Sequence, residues 1–162
     1  MMTITIKLTQ DSIDRLDLSP LKKELDPILS GGNLTEYEQQ FQFEFDYPRN
    51  PTDPRELSEV PEIRLWFLRL DTVYPWFIFF LHWRNGELAR YTAMLVPHQF
   101  SRAEGIQFNP EALELFVMRK VFVLYDWLLE KEISGYGRII SFSQMLGYEV
   151  EESFFESLAD VD

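Results

Sequence analysis

Residues 62–100 constrain the fold more than any other part of the chain. They contain three of the four tryptophans, both histidines and a dense run of phenylalanine. Asn85-Gly86 lies within this stretch, and Asn-Gly flanked by apolar β-forming residues is the strongest short-range signal for a β-hairpin. We therefore predict a long antiparallel hairpin, too apolar to be stable alone, which the rest of the chain must cover.

Alternation of apolar and polar residues predicts further strands. Thr3–Thr9 and Gln40–Tyr47 both alternate strictly, as half-buried strands do, and the second has one aromatic and one polar face. Glu62–Asp71 is apolar on both faces, which predicts a central strand covered on both sides. Leu88–Val96 is the predicted return arm of the hairpin. Tyr74–Leu81 is either the outgoing arm of the hairpin or a short buried helix, because the spacing of apolar residues in so short a run does not distinguish a strand from a helix.

Helices are predicted near both ends of the chain. Asp11 and Pro20 suit the starts of two early helices. Pro27 is predicted to end or kink the second of these helices. Asn109-Pro110-Glu111 predicts the start of a helix that runs to about residue 132 and is apolar nearly all round, hence interior. Arg138–Leu146 and Glu151–Leu158 are predicted as short helices.

These elements predict an α+β fold. We expect a mostly antiparallel sheet of four to five strands, with a long buried helix and short C-terminal helices packed on it. The length of 162 residues predicts a single domain covering 1–162. Residues 48–61 contain four prolines and predict a surface loop, and residues 159–162 form a predicted acidic tail.

Charge is distributed unevenly along the chain. Residues 1–61 carry 6 basic and 12 acidic side chains (net −6), residues 62–102 carry 5 and 3 (net +2), and residues 103–162 carry 4 and 12 (net −8). Acidic flanks oppose binding to nucleic acid and to anionic membrane surfaces. The apolar run at 74–83 is half the roughly 20 residues that a spanning helix needs. We predict neither nucleic-acid binding nor membrane insertion.

The sequence contains no recognisable catalytic or cofactor motif. Without cysteine the chain cannot hold an iron–sulfur cluster or a thiolate zinc site. His82 and His98 would lie about 30 Å apart in a straight hairpin, too far to share a metal. Nucleotide-binding loops and the nucleophile elbow are absent. We predict no catalytic residue, metal or cofactor; the alternative is a small-molecule enzyme that gathers His98 with two carboxylates in a pocket.

Several segments together resemble the chlororespiratory reduction 6 family of cyanobacteria and chloroplasts. They are DPRELSEVPEIRLWFLRLD (Asp53–Asp71), YPW (Tyr74–Trp76), GELARYTAMLVPHQF (Gly86–Phe100) and EGIQFNPEALELFVMRKVFVL (Glu104–Leu124), with weaker similarity in QMLGYE (Gln144–Glu149). The resemblance implies a non-enzymatic assembly factor that transiently binds the ferredoxin-like iron–sulfur subunit of the photosynthetic NAD(P)H dehydrogenase-like complex. It implies a cytoplasmic protein, stromal in chloroplast relatives. A subunit retained in the finished complex is a further alternative.

A partner-binding surface is predicted around the proline-rich loop. Long loops are often functional, and arginine is enriched at interface hot spots. The two arginines of the predicted central strand either anchor an interface or extend to water and pair with carboxylates. The predicted partner-binding residues are Arg55, Glu56, Glu59, Arg64, Arg69, His98, Gln99 and Phe100.

Overall fold

A computed structural model describes residues 3–161 of the chain. The chain divides into two compact units: an N-terminal unit that ends at Phe108 and a C-terminal unit that begins at Asn109. Over residues 3–161 the architecture is α+β, with seven α-helices and two separate two-stranded sheets. The organisation as a single domain stays a prediction.

The N-terminal unit contains both sheets. Its elements are β1 (Ile4–Thr9), α1 (Gln10–Asp14), α2 (Ser19–Gly31), β2 (Phe41–Asp46), α3 (Pro61–Val73), α4 (Glu87–Leu95), β3 (His98–Ser101) and β4 (Gly105–Phe108). Single 3₁₀ turns lie at Leu34–Tyr37, Leu57–Glu59, Phe77–Phe80 and Trp83–Asn85. The C-terminal unit consists of α5 (Pro110–Glu130), α6 (Tyr136–Met145) and α7 (Glu152–Val161).

β1 and β2 form a parallel pair, with Ile4 opposite Phe41 and Thr9 opposite Asp46. The two strands are parallel because α1 and α2 cross between them and return the chain to the same end of the sheet. Both strands were predicted from their alternation, and both are confirmed. β3 and β4 form a short antiparallel hairpin of their own.

The aromatic face of β2 is the centre of the N-terminal core. The Phe43 ring lies 5.1 Å from the ring of Phe67 and 6.0 Å from that of Trp66, both edge-to-face. The Phe41 ring meets the ring of Phe77 at 5.5 Å. Such aromatic pairs contribute roughly 0.5–1.5 kcal/mol beyond the burial of their area. A helix and a 3₁₀ turn, rather than further strands, therefore cover this sheet.

The predicted antiparallel sheet of four to five strands is wrong, and the hairpin centred on Asn85-Gly86 is not formed. Gly86 adopts a left-handed φ of 83°, but the chain then enters α4 where a return strand was predicted. Asn-Gly reliably supplies a residue with positive φ, and that conformation suits the entry to a helix as well as a hairpin turn. The short buried helix considered for Tyr74–Leu81 is present as a 3₁₀ turn at Phe77–Phe80.

The predicted central strand at Glu62–Asp71 is also wrong, because these residues lie in α3. Pro61 begins the helix, where its missing N–H costs no hydrogen bond. The buried residues of α3 recur at the i, i+3, i+4 and i+7 spacing of one helix face; they are Ile63, Trp66, Phe67 and Leu70. Leu65 and Leu68 lie exposed on the opposite face. These outer leucines conceal the helical period and imitate a strand that is apolar on both sides.

The early helices begin near the predicted positions but differ in their ends. Thr9, not Asp11, caps α1, because its hydroxyl accepts the Ser12 N–H. Pro20 lies in the first turn of α2 as predicted, whereas Pro27 does not end that helix. The helix ends where Gly32 takes a left-handed φ of 78°.

The C-terminal unit confirms the three predicted helices. Asn109 caps α5 by accepting the Ala112 N–H at 3.0 Å. The predicted burial of α5 all round is wrong, since one face carries exposed apolar residues, which are Leu115, Phe122 and Leu129. The acidic tail predicted at 159–162 overlaps the end of α7, and its last residue lies outside the described part of the chain.

Candidate functional site

Three side chains fasten the proline-rich loop to the start of β3. The Glu56 carboxylate accepts the Ser58 N–H at 2.7 Å and lies 2.8 Å from the Ser58 hydroxyl oxygen. That oxygen lies 3.0 Å from His98 Nε2. The other ring nitrogen of His98 lies 2.9 Å from the Val96 carbonyl oxygen. We call Glu56, Ser58 and His98 the loop clasp.

The direction of the hydrogen bonds in the loop clasp depends on the charge of His98. A carbonyl oxygen only accepts, so His98 Nδ1 carries the proton that bonds to Val96. In a neutral His98, Nε2 and the Glu56 carboxylate are both acceptors and compete for the single hydroxyl proton of Ser58, which donates to Glu56 at 2.8 Å. In a charged His98, Nε2 donates to the hydroxyl oxygen, and Ser58 turns its proton to Glu56.

Hydrogen bonding also fixes the charge of Glu56. Burial alone would raise the pKa of its carboxyl group, but bonds from the Ser58 N–H, the Ser58 hydroxyl and the Leu57 N–H together lower it. The carboxylate also caps the 3₁₀ turn at Leu57–Glu59. An ionised Glu56 therefore favours one conformation of this part of the loop.

The loop clasp does not have the geometry of a hydrolase. In a Ser-His-Asp triad the imidazole lies between the hydroxyl and the carboxylate, whereas here the hydroxyl lies between the other two groups. Ser58 is only 1% exposed, which shields its oxygen from a substrate. The clasp joins His98 to one carboxylate, and the enzyme alternative requires two. Its chemistry suits positioning of the loop better than catalysis.

Arg55 lies exposed at the surface of the same loop. Its guanidinium group bonds both oxygens of Asp53, with Nη2 2.9 Å from Oδ2 and Nε 3.1 Å from Oδ1. These hydrogen bonds lower the pKa of Asp53 to about 2. Surface pairs of this kind contribute little to stability. The pairing instead holds the guanidinium group in a defined orientation.

The two arginines of α3 have different environments. Arg64 is half-buried, and its Nε donates to the Met94 carbonyl oxygen of α4 at 3.3 Å. Arg69 is exposed on the outer face of α3, beside exposed leucine and valine side chains. We call this outer face, formed by Leu65, Leu68, Arg69 and Val73, the α3 face. Arg64 thus ties two helices together, and Arg69 is displayed to solvent.

The remaining predicted residues lie on β3 and in the loop. Gln99 and Phe100 are exposed, and Phe100 pairs with Ile106 of β4. The His98 ring packs edge-on to the Phe108 ring at 5.9 Å. Glu59 is partly exposed in the 3₁₀ turn. The structure therefore joins Glu56 and His98 in one cluster, while Arg64 bonds to α4.

Sequence reasoning missed Ser58 and the apolar residues of the α3 face. Ser58 meets His98 across 40 positions of the chain, and only its place two residues after Glu56 indicates a local cap. Leu65 and Leu68 were assigned to a buried strand. Helical periodicity beginning at Pro61 is the signal that could have placed them outside.

Glu87 and Arg90, in the first turn of α4, were also missed. The buried Glu87 carboxylate lies 3.4 Å from the Phe43 nitrogen, which donates to it, and Arg90 Nη1 donates to the Phe43 carbonyl oxygen at 3.1 Å. Burial raises the pKa of Glu87, and Arg90 partly opposes this rise. The two side chains occupy backbone groups of β2 that a neighbouring strand would otherwise bond.

Neither a metal site nor a membrane span was found in the described part of the chain. Across residues 3–161, no group of three or more His, Asp or Glu side chains is arranged to hold a metal ion. None of the helices described there is both long enough and apolar enough to cross a membrane.

The model of the chlororespiratory reduction 6 family matches residues 8–157. The chain therefore belongs to this family, as the resemblance indicated. No solved structure matches the chain. Membership is consistent with a role in biogenesis of the NAD(P)H dehydrogenase-like complex, in a family of assembly factors rather than enzymes.

Proposed function

We propose that this member of the chlororespiratory reduction 6 family is a non-enzymatic assembly factor for the iron–sulfur subunit of the NAD(P)H dehydrogenase-like complex. It binds this ferredoxin-like subunit transiently during maturation and leaves before the complex is finished. It acts in the cytoplasm, or in the stroma in chloroplast relatives. The family match over residues 8–157 is the observation that carries the proposal.

The client-binding surface is centred on the proline-rich loop, with β3 and the α3 face contributing to it. Arg55 and Arg69 present exposed guanidinium groups, and Phe100 and Gln99 add an exposed aromatic ring and an amide. Guanidinium groups form paired hydrogen bonds with carboxylates, so we expect acidic residues on the facing surface of the client.

The loop clasp prepares this surface for binding. Glu56 and His98 hold the loop against β3 through Ser58, and Glu59 lies in the turn that Glu56 caps. A loop that is ordered before binding loses less conformational entropy when the client arrives. Arg64 contributes indirectly, because it ties α3 to α4.

Binding of the purified iron–sulfur subunit tests the proposal directly. We expect the double variant Arg55→Ala/Arg69→Ala to weaken binding about tenfold or more, since arginines at hot spots contribute above 1 kcal/mol each. Isothermal titration calorimetry measures the affinity, and circular dichroism follows the fold. Arg84→Ala is the control, because it removes another exposed arginine from a 3₁₀ turn outside this surface.

Two results would contradict this surface. Unchanged affinity of the double variant would exclude the two arginines from the interface. A parallel loss of affinity in Arg84→Ala would show that net charge, not this surface, governs binding. Stoichiometric recovery of the protein in the purified, finished complex would replace transient binding with a resident subunit.

A further inference from the structure

A row of exposed apolar side chains runs along α5. Leu115 is 73% exposed, Phe122 43% and Leu129 54%. Their seven-residue spacing places them on one side of the helix, over about 21 Å at 1.5 Å per residue. We call these three residues the α5 face. Isolated exposed leucines are common, but an aligned row on one helix is typical of a helix-binding surface.

An apolar cavity adjoins the end of this row at Leu129. It has a volume of about 320 Å³ and lies between α5 and α6. Its apolar walls are Tyr125, Leu128, Leu129, Ile133, Tyr136 and Ile139. The Tyr136 ring stacks on the Phe155 ring of α7 at 4.8 Å, which fixes one wall. Leu129 therefore belongs both to the α5 face and to the wall of the cavity.

Acidic side chains outnumber basic ones around this surface. Asp126 and Glu130 are exposed on the same side of α5 as Leu129. Glu149 and Glu151 line a surface groove with Phe154, whose ring packs on the Phe122 ring at 5.7 Å. The nearby cations are Arg119, which is exposed between Leu115 and Phe122, Lys131, which lies 4.0 Å from Glu130, and Arg138, which donates to the Ser134 carbonyl oxygen.

We infer that the α5 face and its cavity bind an amphipathic α-helix of a partner protein, with lysine or arginine flanking the apolar side of that helix. The seven-residue row matches the spacing of side chains along a helix packed on it. Basic flanks complement Asp126 and Glu130. The identity of the partner rests on the proposed function, in which the helix belongs to the iron–sulfur subunit. The binding surface itself does not depend on that function.

Charge also excludes two other occupants of this surface. A second copy of the chain would bring its own acidic α5 face against the first, and like charges oppose such contact. An anionic membrane would meet the same repulsion. A basic helix is the occupant that satisfies both the apolar row and its acidic border.

The first test uses a synthetic amphipathic peptide of leucine and lysine, about 18 residues or five helical turns long. Fluorescence anisotropy of the labelled peptide gives its Kd. We expect binding to the intact protein and a rise in Kd of about tenfold or more for Leu129→Ser and Leu115→Ser, because burial of one leucine contributes at least that factor. Met145→Ser is the matched control, since Met145 is 50% exposed at the end of α6 and does not line the cavity.

The acidic border is tested separately from the apolar row. We expect Asp126→Asn/Glu130→Gln to weaken peptide binding and to reduce its dependence on salt. Glu24→Gln/Asp26→Asn on α2 removes the same number of exposed carboxylates elsewhere and should leave Kd unchanged. A peptide with glutamate in place of lysine should not bind.

The inference is overturned if the peptide does not bind, or if Met145→Ser weakens binding as much as Leu129→Ser. It is also overturned if sedimentation shows that the α5 face joins two copies of the chain. Its failure is distinguishable from failure of the proposed function. Loss of peptide binding alone leaves capture of the iron–sulfur subunit intact, whereas a protein that binds the peptide but never that subunit contradicts the proposed function.

Discussion

α3 and α5 have similar architectures, but only α5 was predicted as a helix from the sequence. Each begins with proline in its first turn, buries one apolar face and leaves further apolar residues on the outside. α3 was taken for a strand, whereas α5 was recognised as a helix. The difference lies at their starts and in their lengths, since α5 has 21 residues and a side-chain cap and α3 has 13 residues and none.

The comparison shows how surface function can obscure a fold signal. A helix that buries one face and is polar elsewhere has a clear 3.6-residue period. Exposed apolar residues weaken that period, and in a short segment they imitate a two-sided strand, as Leu65 and Leu68 do in α3. The residues that mislead the prediction are therefore the ones proposed here to contact other proteins.

The largest expected effect distinguishes the two faces of α3. Trp66→Ala should lower the free energy of unfolding by roughly 3–5 kcal/mol, because it removes a fully buried ring whose Nε1 donates to the Asp17 carbonyl oxygen at 2.8 Å. Leu65→Ala should stay within about 0.5 kcal/mol, as most surface substitutions do. Urea denaturation measures both. Equal, large losses would support a strand buried on both faces and break the comparison.

The same contrast applies to α5. Leu124→Ala should cost roughly 2–5 kcal/mol, since Leu124 is buried, whereas Leu115→Ala at the outer face should cost less than about 0.5 kcal/mol. Thermal unfolding followed by circular dichroism compares the two variants. A large loss for Leu115→Ala would mean that the α5 face is covered within the protein, and it would remove the surface proposed for the partner helix.

The cap of α5 should have an intermediate effect. Asn109→Ala removes the acceptor of the Ala112 N–H and should destabilise the protein by roughly 0.5–2 kcal/mol. Asn33→Ala is the control, because Asn33 precedes a 3₁₀ turn without a side-chain cap bond. If both substitutions have the same effect in urea denaturation, the Asn109 cap is not what distinguishes α5 from α3.

The smallest expected effect concerns Glu87 of α4, the helix that packs against α3. Burial raises the pKa of Glu87 above its ordinary value of 4.5. Its contribution to stability is therefore fully present below pH 4.5 and is lost as the pH rises through the higher pKa of the folded state. The Glu87→Gln variant lacks this pH-dependent loss of stability. The free energy of unfolding of the variant, relative to that of the natural protein, should therefore increase with pH.

Urea denaturation at several pH values tests this expectation. Glu44→Gln is the control, because it makes the same chemical change at an exposed residue of β2. A pH dependence for Glu87→Gln no larger than that for Glu44→Gln would show that Glu87 keeps its ordinary pKa in the folded protein.

Features that depend on neighbouring residues were predictable from the sequence. Alternation predicted β1 and β2, and Asn109-Pro110 predicted the start of α5, because these signals act within a few residues. Family membership was also predictable from the sequence, since several long segments resemble the family and the family model matches residues 8–157.

The folded chain was needed to show what covers β2 and which residues of the candidate site meet. Short apolar runs at residues 62–81 fit a helix or a strand locally, and the choice depends on the distant faces they bury. Glu87 and Arg90 bond β2 across more than 40 positions, and Ser58 reaches His98 across 40. Such contacts depend on three-dimensional proximity, which local sequence patterns do not encode.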